Sequence, residues 1–145
     1  LHQFDKVEIV CIEKPENSYD RLDKMVNYVQ TLVEKLELPW RILRLCGGDM
    51  GFTSALTFDF EVYSTAQERW LEVSSVSNFE SYQANRLKCR YRPEDGGRPQ
   101  LCHTLNGSAL ALPRIVAAIL ENHQTPEGIK IPKALVPYTG FEMID

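Results

Sequence analysis

Between Thr57 and Tyr63 the chain alternates without a break, with Phe58, Phe60 and Val62 on one side and Thr57, Asp59, Glu61 and Tyr63 on the other. Successive side chains of an extended chain point to opposite faces, so this stretch reads as a strand with one face buried and one free. Arg69 to Ser75 alternates again after a short polar turn, which suits an antiparallel hairpin. Whatever fold forms must cover one face of this sheet and leave the other available.

The cover comes from two helical segments. From Ser18 to Leu38, the residues Leu22, Met25, Val26, Val29, Leu32, Val33 and Leu36 recur at the spacing that lines one helix face. Asn17 or Ser18 is placed to cap this helix, Asp20 suits its positive end, and Pro39 marks its stop. A second helix begins near Pro113, a residue suited to a first helical turn, and runs to about His123.

The remaining strands are expected over Phe4 to Ile12, Trp40 to Cys46 and Gln100 to Asn106. Arg86 to Arg92 also alternates, and read as a strand it gives one cationic face of Arg86, Lys88, Arg90 and Arg92. Such a face is either solvated or attracts phosphate. A short helix is expected over Ser77 to Ala84, a glycine-broken loop over Gly47 to Gly51, and mostly turns after Pro126. Strands in succession bracketed by helices favour an α+β fold, an antiparallel sheet flanked by helices, over βαβ units. No glycine-rich phosphate loop of the dinucleotide or P-loop kind is present.

Length and composition fit one globular domain: 145 residues, 43% hydrophobic and 25% charged. The net charge of -4 makes a nucleic-acid contact a local matter. Cys11, Cys46, Cys89 and Cys102 are scattered without zinc-ligand spacing, so no zinc is expected. Reduced thiols in a cytoplasmic protein fit them, and a secreted protein with two disulfides is the alternative. The longest apolar run, Ile115 to Leu120, is far below the roughly 20 residues that span a bilayer, so a soluble protein without a membrane partner is expected. Leu1 is not Met and no leader pattern follows it, which suggests a piece of a longer chain.

Three groups of residues could carry chemistry. Asp59, Glu61 and Glu72 place carboxylates on adjacent strands, and Glu72 with Ser75 offers a carboxylate and a hydroxyl for a hydrated Mg²⁺. Solvated side chains are the other reading. Asn106, Gly107 and Ser108 precede a helix whose first turn holds Arg114, so small polar groups and a guanidinium could meet a zwitterion or a phosphate. The other reading is a turn, a Ser108 cap and a surface arginine. His2, His103 and His123 lack catalytic partners and read as structural.

Together, His2 to Glu8, Leu38 to Arg41, Gly48 to Gly51, Glu72 to Asn78, Gln83 to Arg86, His103 to Ser108 and Ile119 to Asn122 resemble the seryl-tRNA synthetase catalytic domain, in order and spacing, over essentially the whole chain. His-Gln-Phe-x-Lys-Val-Glu resembles the second signature motif of class II synthetases, and the stretch ending at Arg114 resembles the third. Val76 and Gly47 depart from the family's usual Cys and Thr. The resemblance implies a class II catalytic fold, with residues 1–145 as its C-terminal part. It implies serine activation with ATP and transfer to tRNA(Ser), with selenocysteine tRNA as a second candidate, by a homodimer.

By the same resemblance, Glu8, Asn106 and Ser108 bind L-serine, while Leu1, Phe4, Glu72, Val73, Ser74, Ser75 and Arg114 bind ATP. Glu72 and Ser75 hold Mg²⁺, and Arg114 and Glu72 act in catalysis. An α-phosphate arginine, the first signature motif, an upstream serine-binding segment and an N-terminal tRNA-binding arm lie before Leu1 in the family. The piece alone is therefore expected to be inactive. A non-catalytic amino-acid-binding module on the same fold is the alternative, and an RNA-binding module using the cationic strand is a further one.

Overall fold

A computed structural model describes residues 1–145. Its elements in chain order are β1 (Lys6–Glu13), a 3-10 turn at Pro15–Asn17, α1 (Ser18–Lys35), β2 (Trp40–Arg44), β3 (Leu56–Ser64), β4 (Arg69–Asn78) and α2 (Ser81–Leu87). There follow β5 (Arg90–Tyr91), β6 (Gln100–Leu101), β7 (His103–Ala111), α3 (Leu112–Asn122), β8 (Gln124–Thr125), β9 (Gly128–Lys130), α4 (Val136–Thr139) and β10 (Met143–Ile144). Five strands form one antiparallel sheet in the order β1-β7-β4-β3-β2. Helices α1 and α3 pack against one face of it. The expected α+β architecture is the observed one. No helix is long and apolar enough to cross a membrane.

The core lies between that face and the two helices. Leu22, Met25, Val29 and Val33 of α1 are fully buried against Phe60, Val76 and Leu105 of the sheet, with Ile115, Ala118 and Ile119 from α3. Each such side chain contributes about 1.5–3 kcal/mol by leaving water. The buried stripe of α1 is narrower than its apolar periodicity suggests, for Leu32 remains 37% exposed. The helix stops at Lys35 because Glu37 takes a left-handed conformation (φ 56°) ahead of Pro39.

Ser18 makes no capping bond to the helix amides. Its hydroxyl donates to the Pro15 carbonyl, contacts His103 Nδ1 at 2.8 Å and accepts from the Asn78 amide at 3.2 Å. This cluster fastens the start of α1 to β4 and β7. His123 is likewise structural, with Nε2 3.1 Å from the Leu36 carbonyl oxygen. At the other end of the core, Glu121 accepts from Ser64 at 2.6 Å and Asn122 donates to the Tyr63 carbonyl at 2.9 Å, tying α3 to the β3–β4 turn.

Besides the missing cap at Asn17 or Ser18, three expectations need correction. Arg86 to Arg92 is not one strand: Arg86 and Leu87 close α2, Lys88 turns through φ 56°, and only Arg90 and Tyr91 are extended. Ala84 is buried and Arg86 stacks 3.6 Å from the centre of the Tyr82 ring, so helical packing overrides the alternation and no cationic strand face exists. The helix expected at Ser77 begins at Ser81, because Val76, Ser77 and Asn78 pair with both β3 and β7 in the sheet interior.

The third correction concerns Gly107, which is no turn. It lies inside β7, opposite Val76, and a Cβ built on it would sit 3.0–3.2 Å from Val76 atoms, including the backbone Cα. Glycine within a strand here marks a close approach of two backbones. Gly107→Ala is expected to lower stability by about 1–3 kcal/mol, the usual cost of overpacking. In urea denaturation, Val76→Ala combined with Gly107→Ala should then cost less than the sum of the single changes. Strict additivity would show that this contact is not the constraint.

Candidate functional site

The open face of the sheet collects the polar residues that the alternation leaves facing away from the helices. Glu8 pairs across the sheet with Ser108, Val10 with Asn106, Asn106 with Ser77, Ser77 with Thr57, and Asp59 with Ser75. Cross-strand partners point the same way, so these side chains share one surface.

Glu72 joins them through a bulge. Phe60 faces Ser74 but Glu61 faces Glu72, which leaves Val73 as an extra residue on β4. In a regular strand, residues three apart point to opposite faces; the bulge reverses that for Glu72 and Ser75. Both therefore lie beside Asp59 and Glu61. Val73 and Ser74 turn inward, and Ser74 Oγ donates to the Ser108 carbonyl at 2.5 Å. Any ligand contact from these two residues falls to their backbone.

At the β1 edge, Ser108 Oγ donates to Glu8 Oε2 at 3.2 Å, and the Lys6 ammonium stands 3.0 Å from the same oxygen. Gln83 of α2 accepts from Thr104 at 2.7 Å and from the Asn106 amide at 3.2 Å, fixing Asn106 on the face. Gln83 and Lys6 thus support the predicted residues. Neither carries a recognisable spacing of its own, although both fall within the stretches that carry the family resemblance.

Beyond these residues a cleft of about 420 Å³ opens, lined by Leu1, Phe4, Lys6, Glu72, Ser108 and Arg114 among others. Arg114 reaches it from the first turn of α3, where its Nη1 donates to the Glu72 carbonyl. Phe4 is 53% exposed, so its ring is available for a planar partner. All the predicted site residues lie on this face, at this cleft or on the strand between them. The Gly47–Gly51 loop does not line the cleft; it turns at the sheet's end, where Asp49 accepts from the Cys46 thiol at 3.4 Å.

The electrostatics at β3 and β4 are those of crowded acids. Burial pushes the Asp59 carboxyl above its usual range, Ser75 opposes this by hydrogen bonding, and the charges of Glu61 and Asp49 add to it. Asp59 Oδ1 is buried without a hydrogen-bond partner. Burial also raises Glu72, reinforced by Asp59 and countered by Arg114. Asp59, Glu61 and Glu72 outnumber the nearby Arg41 and Arg114, so oxygen donors are in excess.

The sheet thus carries an acidic open face, a glutamate-hydroxyl pair at one edge and an arginine from the helix that follows β7. A model of the tRNA synthetase class II core domain (G, H, P, S and T) matches residues 1–123, and the chain belongs to this family. Among proteins it resembles, the serine--tRNA ligase of Salinibacter ruber is 59% identical over 99% of this chain and 34% of its own length. That of Finegoldia magna is 51% identical with the same coverages. The chain thus spans about a third of these relatives.

Solved structures agree. Seryl-tRNA synthetase from Pyrococcus horikoshii complexed with ATP superposes with a TM-score of 0.94 at 39% identity, covering 100% of this chain and 33% of that one. The cytoplasmic serine-tRNA ligase from Naegleria fowleri in complex with AMP gives 0.91 at 31%, covering 100% and 35%.

The raised acids make a prediction about stability. A carboxyl that holds its proton more tightly when folded makes stability fall as pH rises from the ordinary carboxylate range through the raised value. Asp59→Asn is therefore expected to exceed the parent in stability at neutral pH and to lose the advantage under acid conditions. Denaturant unfolding across a pH series measures this, and a variant that is no more stable at neutral pH contradicts the assignment.

Proposed function

We propose that this chain is the C-terminal part of the catalytic domain of a serine-tRNA ligase, which activates L-serine with ATP and transfers it to tRNA(Ser). The observation that carries the reading is the Glu8 carboxylate, already paired with an ammonium group and a hydroxyl, beside a cleft lined by Phe4, Glu72 and Arg114. A free amino acid bearing a hydroxyl presents the same two groups. The serine ammonium would take the place of the Lys6 ammonium at Glu8, and its hydroxyl would meet Ser108, with Asn106 closing the pocket. A site that hydrogen-bonds a hydroxyl rejects an analogue without it, because its polar groups are left unpaired.

Adenine would stack on Phe4 with Leu1 at the cleft wall, and the γ-phosphate would meet Arg114. The backbone of Val73 and Ser74 would lie along the nucleotide. Glu72 and Ser75 would hold Mg²⁺, an ion suited to all-oxygen donors such as these and the unpartnered Asp59 oxygen. The metal would supply charge neutralisation for the triphosphate. A serine carboxylate oxygen then attacks the α-phosphorus while the bond to pyrophosphate breaks, giving seryl-adenylate. The carboxylate is itself the nucleophile, so the chain's residues serve by positioning and electrostatics rather than as a general base. In the second step a terminal ribose hydroxyl of the tRNA attacks the seryl carbonyl and AMP departs.

The natural setting we propose is a cytoplasmic homodimer, with selenocysteine tRNA as a further acceptor. Arg114→Ala in the full-length protein is expected to lower serine-dependent ATP-pyrophosphate exchange about 10²- to 10³-fold, the usual loss for one electrostatic donor. Exchange close to that of the parent would overturn the role of Arg114. Exchange absent in the parent itself would favour a non-catalytic amino-acid-binding module on this fold. Ser108→Ala should raise the KM for serine about 10- to 100-fold, the worth of one hydrogen bond to a charged network. The KM for ATP should stay unchanged, and equal rises in both constants would show general damage to the site.

A further inference from the structure

The cysteines, scattered in sequence, are not all apart in space. Arg90 pairs with Leu101 and Tyr91 with Gln100 in the β5–β6 hairpin, so the next position places Cys89 directly opposite Cys102. The Cys102 amide donates to the Cys89 carbonyl at 3.2 Å. The return bond is not made, because the Cys89 amide donates to the Ala84 carbonyl at 2.8 Å, but directly opposed antiparallel residues have Cα atoms about 4.5–5.5 Å apart, inside the roughly 4.4–6.8 Å that a disulfide spans. Cys11, by contrast, packs against the core beneath the sheet, and Cys46 is exposed at the sheet's end.

We propose that Cys89 and Cys102 are a reversible redox pair that closes into a disulfide when the protein meets a low-molecular-weight disulfide such as oxidised glutathione. Cys89, the less buried of the two, attacks as the thiolate. A bond forms from its sulfur to one glutathione sulfur, and the other glutathione leaves with a proton. Cys102 then attacks the Cys89 sulfur, and the second glutathione leaves with the second proton. The two protein thiols are oxidised and one oxidised glutathione is reduced to two thiols. Burial raises the Cys102 thiol, which leaves Cys89 as the first to react.

The bond would staple a seam that the site uses. Cys89 follows α2, whose Gln83 holds Thr104 and Asn106, and Cys102 immediately precedes β7, which carries both of these. Oxidation thus joins the two segments whose contact fixes Asn106. The inference stands on the hairpin geometry alone and is independent of the proposed reaction.

The test equilibrates the full-length protein with mixtures of reduced and oxidised glutathione, quenches with acid, alkylates and maps the cysteines by mass spectrometry. One internal Cys89–Cys102 disulfide is expected, with Cys11 alkylated as a free thiol. At a fixed ratio of oxidised to reduced glutathione, tenfold more total glutathione should lower the disulfide-to-dithiol ratio about tenfold, the signature of two glutathiones released per bond. Cys102→Ser should stop at a glutathione adduct on Cys89 whose level is indifferent to total glutathione at that fixed ratio. A stable glutathione adduct on Cys89 of the unmutated protein, or both thiols remaining free across the series, would overturn the proposal.

Discussion

The site depends on one close approach of two backbones. Strands β4 and β7 share only three residue pairs, Val76 with Gly107, Ser77 with Asn106 and Asn78 with Leu105. At the last of these toward the cleft, a side chain is missing by design of the sequence: Gly107 lets β7 lie against Val76. Just beyond, Ser74 Oγ spans to the Ser108 carbonyl and carries the contact past the end of regular pairing. Within the sheet, this seam joins the two parts of the open face. On one side lie Glu8, Asn106 and Ser108; on the other, Asp59, Glu61, Glu72 and Ser75. Under the proposed function the amino acid and the nucleotide would have to be held within bonding distance of one another, and the seam would set that distance.

The bulge at Val73 plays a corresponding part on the acidic side of the open face. Without it Glu72 would point into the helical layer, where a lone carboxylate would be costly, and Ser75 would stand on the open face without it. The extra residue turns Glu72 out, drives Val73 into the core, and frees the Glu72 carbonyl to accept from Arg114. A single irregularity in pairing thus fixes a carboxylate, a hydroxyl and a guanidinium relative to one another.

Much of the scaffold is legible in the sequence because it rests on periodicity. The Thr57–Tyr63 alternation, the long apolar stripe from Leu22 to Val33 and the proline at the start of the last helix each announce an element that forms. What periodicity misreads are positions where packing overrides it. Arg86 to Arg92 alternates yet its first residues are helical, since Ala84 must pack and Arg86 can stack on Tyr82. Gly107 resembles a turn because glycine usually marks one; only the Val76 contact across the sheet gives it another meaning, and that contact is non-local. The site residues were legible chiefly through family resemblance, while physical spacing left Glu72 and Ser75 ambiguous until the bulge put them on one face. Gln83 and Lys6 acquire roles only when α2 and the β1 edge are seen against β7.

The balance of charge on the open face argues how the site must be filled. Asp59, Glu61 and Glu72 crowd one end, with Arg114 as the nearby guanidinium at the cleft and Arg41 committed to Glu61 at 2.5 Å and to the face of Trp70. A triphosphate brought here without cations would meet like charge, and a divalent cation brought without the triphosphate would leave carboxylates only partly satisfied. Each charge makes the site more favourable for the other, which is a coupling free energy and is reciprocal. Burial first, and neighbouring carboxylates second, already hold the Asp59 and Glu72 carboxyls above their usual range before any ligand arrives. Under the proposed function an acidic chain could therefore serve an anionic substrate: the negative residues would recruit the metal, and the metal with Arg114 would receive the phosphates.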